Sequence, residues 1–193
     1  MWTNTSIIRD VWPVVTGEKP SLTYTGILPV NHAAKSTEVI ETVLIGGNLS
    51  SLDYWNGVYG PFPVGTTKRA LLIETTGEDP TRALSILTAL KRGFFASGSV
   101  SAILFGDLHG IRPASAEFST KEERFSFLIN SFATSVSIPV FRTGAGEKTL
   151  DSDLRFGHGD YNDPIPLGTP ARFTRLGDDS FSLEINGFMR AVH

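Results

Sequence analysis

The chain has 193 residues, 40% of them hydrophobic and 19% charged, enough for one substantial core or at most two small ones. Its formal net charge of −3 argues against a general nucleic-acid footprint, which would be basic. The absence of cysteine excludes disulfide frameworks and thiolate zinc sites. No run approaches the roughly 18 apolar residues of a membrane helix, and Arg9 and Asp10 interrupt an N-terminus that does not read as a signal peptide. Thirteen Phe with 19 Gly and 11 Pro lean toward strands joined by tight turns.

In chain order, residues 1–35 read as an extended arm or irregular first layer, broken by Pro13, Pro20 and Pro29, with a short strand possible at 21–28. Trp2 and Trp12 in this arm either pack on their own domain or reach a neighbouring subunit. Residues 37–45 alternate as a strand that Gly46-Gly47 ends. The segment 51–65 carries Asn56-Gly57, a tight-turn pair, amid Tyr54, Trp55, Tyr59 and Phe62. Such a loop is a carbohydrate platform, a subunit contact or a lid on the core.

A strand over 68–75 precedes the strongest local signal. Asp79 is placed to cap a helix with Pro80 at its first position. Ala83, Leu84, Leu87, Leu90 and Phe94 form one apolar stripe, and Gly93 fits a left-handed stop. Residues 98–105 form a strand apolar on both faces, as a covered central strand is. A turn at 106–110 and an antiparallel return at 111–118 should follow. Residues 119–132 fit a helix behind a Ser119–Glu122 capping box, and equally a strand alternating Phe125, Phe127 and Ile129. Residues 134–142 read as a strand with Pro139 at an edge or bulge. A long Gly-, Pro- and Asp-rich loop spans 143–170, and strands at 172–175 and 180–185 close the chain as a hairpin.

The expected class is therefore α+β: a mostly antiparallel sheet, or a β-barrel or sandwich, covered by one or two helices. Residues 36–193 form a single β-rich domain in this reading.

No template for catalysis or metal binding emerges. His158, Asp160 and Asp163 cluster as a possible polar loop site, without the spacing of an EF-hand or zincin. Asp107 and His109 share one turn, and a distant serine could complete a triad that the sequence does not select. Residues 143–149 end in Lys-Thr but lack a phosphate loop's first glycine. No cofactor is expected.

The order of elements between residues 68 and 141 resembles the core of siphophage distal tail proteins and related tail ring or baseplate components. That resemblance implies a non-enzymatic virion protein. It would form a homo-oligomeric, hexameric ring with other tail proteins through contacts such as Trp2, Trp12, Tyr54, Trp55, Tyr59 and Phe62. Two alternatives stand beside it: a carbohydrate- or ligand-binding module, and a hydrolase using Asp107, His109, His158 and Asp160.

Overall fold

The computed structural model describes residues 11–60, 67–95, 97–109, 121–143, 156 and 165–187. Seven strands close a barrel in the order β1-β5-β4-β3-β2-β6-β7. They are β1 (Ser21–Pro29), β2 (Val39–Asn48), β3 (Arg69–Thr76), β4 (Val100–His109), β5 (Val140–Arg142), β6 (Thr169–Gly177) and β7 (Ser180–Asn186). Short helices α1 (Trp12–Val15) and α2 (His32–Lys35) flank β1. Three longer ones, α3 (Leu49–Tyr59), α4 (Pro80–Leu90) and α5 (Lys121–Ala133), connect β2 to β3, β3 to β4 and β4 to β5. Each of those three strand pairs is parallel, and the four remaining pairings are antiparallel. The molecule is thus an α+β fold: a mixed, closed barrel with helices over its parallel half. Parallel neighbours need a long crossover, and the helices supply it.

The pleat sorts the apolar residues of the parallel strands into two cores. Ala70, Leu72, Ala102, Leu104 and Phe141 point into the barrel with Phe173, Phe181, Leu183 and Ile185. Leu71, Ile73, Ile103, Phe105 and Val140 point outward, beneath Leu52, Leu87, Leu90, Leu128 and Phe132 of the helices. This is why 98–105 reads as apolar on both faces.

The α4 cap forms as the sequence indicates: the Asp79 carboxylate accepts from the backbone N–H groups of Thr81 (2.9 Å) and Arg82 (3.2 Å). Gly93 is not a left-handed stop. The chain continues into a π turn, Lys91–Phe95, and a Cβ on Gly93 would lie 2.1 Å from Asn56 Oδ1. That glycine lets α3 and the end of α4 approach.

Other expectations are revised. The Asn56-Gly57 turn does not form; both residues lie in α3, which ends at Gly60 with φ 72°. Gly46-Gly47 does not stop β2, and Gly106 does not start a turn, because β4 runs on to His109. Residues 119–132 resolve to helix from Lys121: Leu128, Ile129 and Phe132 are buried while Phe127 is exposed, which rules out the alternation. The strand expected over 134–142 shrinks to three residues. Ser135 N–H bonds back to the Phe132 carbonyl, and Asn31 takes ladder positions by donating to the Ile138 carbonyl (2.9 Å) and accepting from Val140 N–H (3.1 Å). The antiparallel return expected at 111–118 lies outside the described residues.

Candidate functional site

In sheets with parallel strands, ligands bind beyond the carboxyl ends of those strands. Here β2, β3, β4 and β5 all end on one rim of the barrel, bringing Asn48, Glu74, Thr75, the last residues of β4, and Thr143 together. Asn48 and Glu74 are paired in register across β2 and β3.

The local sequence sets this pairing. Gly46 and Gly47 have φ of 136° and 139°, a conformation that L side chains rarely adopt. A Cβ on Gly46 would fall 2.0 Å from the Leu72 carbonyl oxygen. Gly46 therefore lets β2 press against β3, and the strand carries Asn48 to the rim. Asn48 then turns the chain into α3: its Oδ1 accepts from Ser50 N–H at 3.0 Å. That bond uses the carbonyl end of the amide.

Glu74 follows the apolar run Ala70-Leu71-Leu72-Ile73 and shares the pleat face of Ala70 and Leu72, which line the barrel interior. Only 4% of its surface is exposed. A carboxylate buried at a strand's carboxyl end is a marker of a working site. The nearby Glu78 has a different job. It accepts a hydrogen bond from the Ser50 hydroxyl and pairs with Arg82 at 3.2 Å, fastening the start of α3 to that of α4. Thr75, also buried, has a hydroxyl without a hydrogen-bond partner among the described residues. Thr143 is held at the rim by its N–H bond to the Phe105 carbonyl (2.9 Å).

Phe156 reaches the rim from the long loop. Its ring packs edge-on against Tyr24, centroids 4.9 Å apart, and its carbonyl would be 2.3 Å from a Cβ on Gly106. Gly106 is thus the seat on which Phe156 rests, one residue before Asp107.

Of the residues singled out from sequence, Asp107 and His109 are among the last three residues of β4 at this rim; their side chains lie outside the described residues. So do His158, Asp160, Asp163, Trp2 and Phe62. Trp12 is 56% exposed on α1. Tyr54 and Tyr59 are 70% and 67% exposed on α3, where Trp55 and Tyr59 rings lie 4.6 Å apart. The rim does not include them. Among the described residues no cluster of three or more His, Asp or Glu could hold a metal. Asn48 and Glu74 were missed from sequence. The usable signal was an acid directly following an unbroken apolar run, and an asparagine after a glycine pair.

The barrel and its helical cover recur in several solved structures. A muramoyltetrapeptide carboxypeptidase from Oxalobacter formigenes superposes with a TM-score of 0.61 at 21% identity, covering 90% of this chain and 53% of that one. An MccF-like protein from Bacillus anthracis str. Ames gives 0.56 at 16% identity, covering 87% and 52%. At such identities these matches speak for the fold. The family profile described as LD-carboxypeptidase C-terminal domain matches residues 41–173, and the chain belongs to that family. A Rickettsia prowazekii (strain Madrid E) protein, provisionally named carboxypeptidase RP402, is 28% identical over 170 residues, 88% of this chain and 46% of the relative. A second, RC0549 of Rickettsia conorii (strain ATCC VR-613 / Malish 7), is 27% identical over 162 residues. The chain spans about half the length of these curated relatives.

This membership overturns the phage-tail resemblance. The chain is not a distal tail, ring or baseplate protein, and the hexameric ring, the tail-protein partners and the virion location fall with that reading. The expectation of a non-enzyme is corrected too, since the family is one of peptidases. The physical cause is that strand, helix, strand over 69–105 is a generic βαβ crossover between parallel neighbours, shared by many unrelated folds.

Proposed function

We propose that this chain is the part of a carboxypeptidase that carries an acid-base pair, and that the reaction is hydrolysis of a peptide bond next to a free carboxyl terminus. The observation that carries the reading is the buried Glu74 at the carboxyl rim, in register with Asn48 and inside the span of the family match.

His158 is the base in this proposal. His158 follows Phe156 by two residues in the sequence, and Phe156 is seated on Gly106 at the rim. A histidine there acts as Glu74's partner. The carboxylate fixes the imidazole tautomer and stabilises the imidazolium formed when the nucleophile loses its proton, after which the imidazolium protonates the leaving amine. The Asn48 amide N–H groups, left over from the capping bond, supply donors for the substrate carbonyl or carboxylate. The proposal assigns the nucleophile to no residue of the rim. The tetrapeptide substrate named for the Oxalobacter formigenes enzyme is the first to try.

The test is release of the terminal amino acid from a muramoyl-tetrapeptide, followed by mass spectrometry in the gene product that carries this chain. Glu74→Gln should lower the rate by about 100- to 10,000-fold with little change in thermal stability. A histidine base works only when neutral, so the wild-type rate should fall on the acid side as the imidazole takes up a proton. Unchanged activity in Glu74→Gln, or no release by the wild type, would sink the reading.

A further inference from the structure

Two inward layers of the barrel wall lead up to the rim. Leu72, Leu104 and Phe141 are in register across β3, β4 and β5 and point into the barrel. Two residues further along come Glu74, Gly106 and Thr143, the next inward layer. Gly106 alone of these three has no side chain, which leaves a gap on β4 beside Glu74. The register also slips there. Ile73 pairs with Phe105 but Thr75 with Leu108, so Gly106 and Asp107 stand against the single residue Glu74. Phe105 and Leu108 accordingly both lie in the outer core, three residues apart, where plain alternation would put them on opposite faces. Such a bulge bends its strand, and bulges gather beside active sites.

Phe156 fills the gap. A Cβ on Gly106 would meet its carbonyl oxygen at 2.3 Å, its carbonyl carbon at 3.1 Å and its own Cβ at 3.4 Å. Gly106 has no positive φ, so glycine serves here for space and not for conformation. The Phe156 ring is fully buried in the barrel interior, edge-on to Tyr24 of β1. Phe156 is held on both sides, by its backbone at β4 and by its ring at β1. We propose that Gly106 and Phe156 are positioning residues for the acid-base pair, a role that rests on the peptidase reading above. They fix the point, opposite Glu74, from which the chain reaches His158 two residues later.

Release of the terminal amino acid from a muramoyl-tetrapeptide by the gene product that carries this chain, with kcat and KM separated and rates taken per folded molecule, tests this. Gly106→Ala should lower kcat about 100-fold, the cost of a misplacement near 1 Å, with KM within about twofold. Phe156→Leu keeps most of the buried volume and should lose about tenfold, and Phe156→Ala more. Phe173→Leu, an equally buried change in the same core, should keep kcat within about twofold. In a proton–carbon NMR spectrum, the imidazole resonance that vanishes in His158→Ala should move in Gly106→Ala and stay in Phe173→Leu, whether or not substrate turns over. Wild-type kcat in Gly106→Ala, a loss confined to KM, an equal loss in Phe173→Leu or an unmoved resonance would overturn the positioning role. Wild-type turnover in Glu74→Gln would instead mark the failure of the peptidase reading, and the role would fall with it.

Discussion

The parallel and antiparallel halves of the barrel use the same inner core but solve their outer faces differently. Strands β3 and β4 are apolar on both sides because α3, α4 and α5 cover them. Strands β6 and β7 are buried only at alternate positions, and their outer residues meet water. Arg172 there pairs with Glu41 of β2 at 3.2 Å, both well exposed. Arg175 stitches the hairpin to Glu38 and the Thr37 carbonyl and lies 5.1 Å over the Phe181 ring. The contrast is instructive because parallel strands end on one rim and antiparallel ones do not. Only the parallel half can gather Asn48, Glu74 and Thr143 in one place. The antiparallel half closes the barrel.

Truncating matched phenylalanines separates the two roles most strongly. Phe105→Ala in the helix-covered core and Phe173→Ala in the barrel interior should each cost about 3–5 kcal/mol in urea unfolding, both being fully buried. Activity per folded molecule should fall for Phe105→Ala, because Thr143 hangs on the Phe105 carbonyl, and hold for Phe173→Ala. Equal activity losses would erase the division. Next in size is Gly46→Ala, expected to cost about 2–3 kcal/mol through its positive φ and the Leu72 carbonyl, and to reduce turnover by moving Asn48 off Glu74. Gly177→Ala in the antiparallel half meets no atom nearer than Ser180 Oγ at 3.8 Å and should stay within about 0.5 kcal/mol. Asp79→Ala should cost about 1 kcal/mol by removing the α4 cap, read as a lower urea midpoint. Glu41→Gln should change stability by no more than about 0.5 kcal/mol, since that pair is solvent-screened.

Much of the fold was legible where local chemistry decides it. The Asp79-Pro80 cap, the apolar stripe of α4 and the closing hairpin are all short-range features, and they formed. Pairing direction was not legible, because parallel register depends on contacts dozens of residues apart. Helix α3 was missed because Gly46-Gly47 looked like a terminator and Asn56-Gly57 like a turn. Tertiary packing overrode both: Leu49 and Leu52 reach the outer core. Gly93 and Gly106 were misread for a related reason. Each glycine serves a close approach, by Asn56 and by Phe156, that no local pattern announces. His158 and its acidic neighbours stood out as the chain's richest polar cluster, and they lie outside the described residues. Glu74 did not stand out, since a lone acid near the end of a strand carries no signal until strand order places it on a rim.

The most direct test of the rim is a double-mutant cycle on peptide hydrolysis with Glu74→Gln, His158→Ala and the double variant. If the two side chains act as one unit, each single change lowers the rate at least about 100-fold and the double variant is no worse than the poorer single. Losses that multiply, or a Glu74→Gln variant with wild-type turnover, would contradict the account.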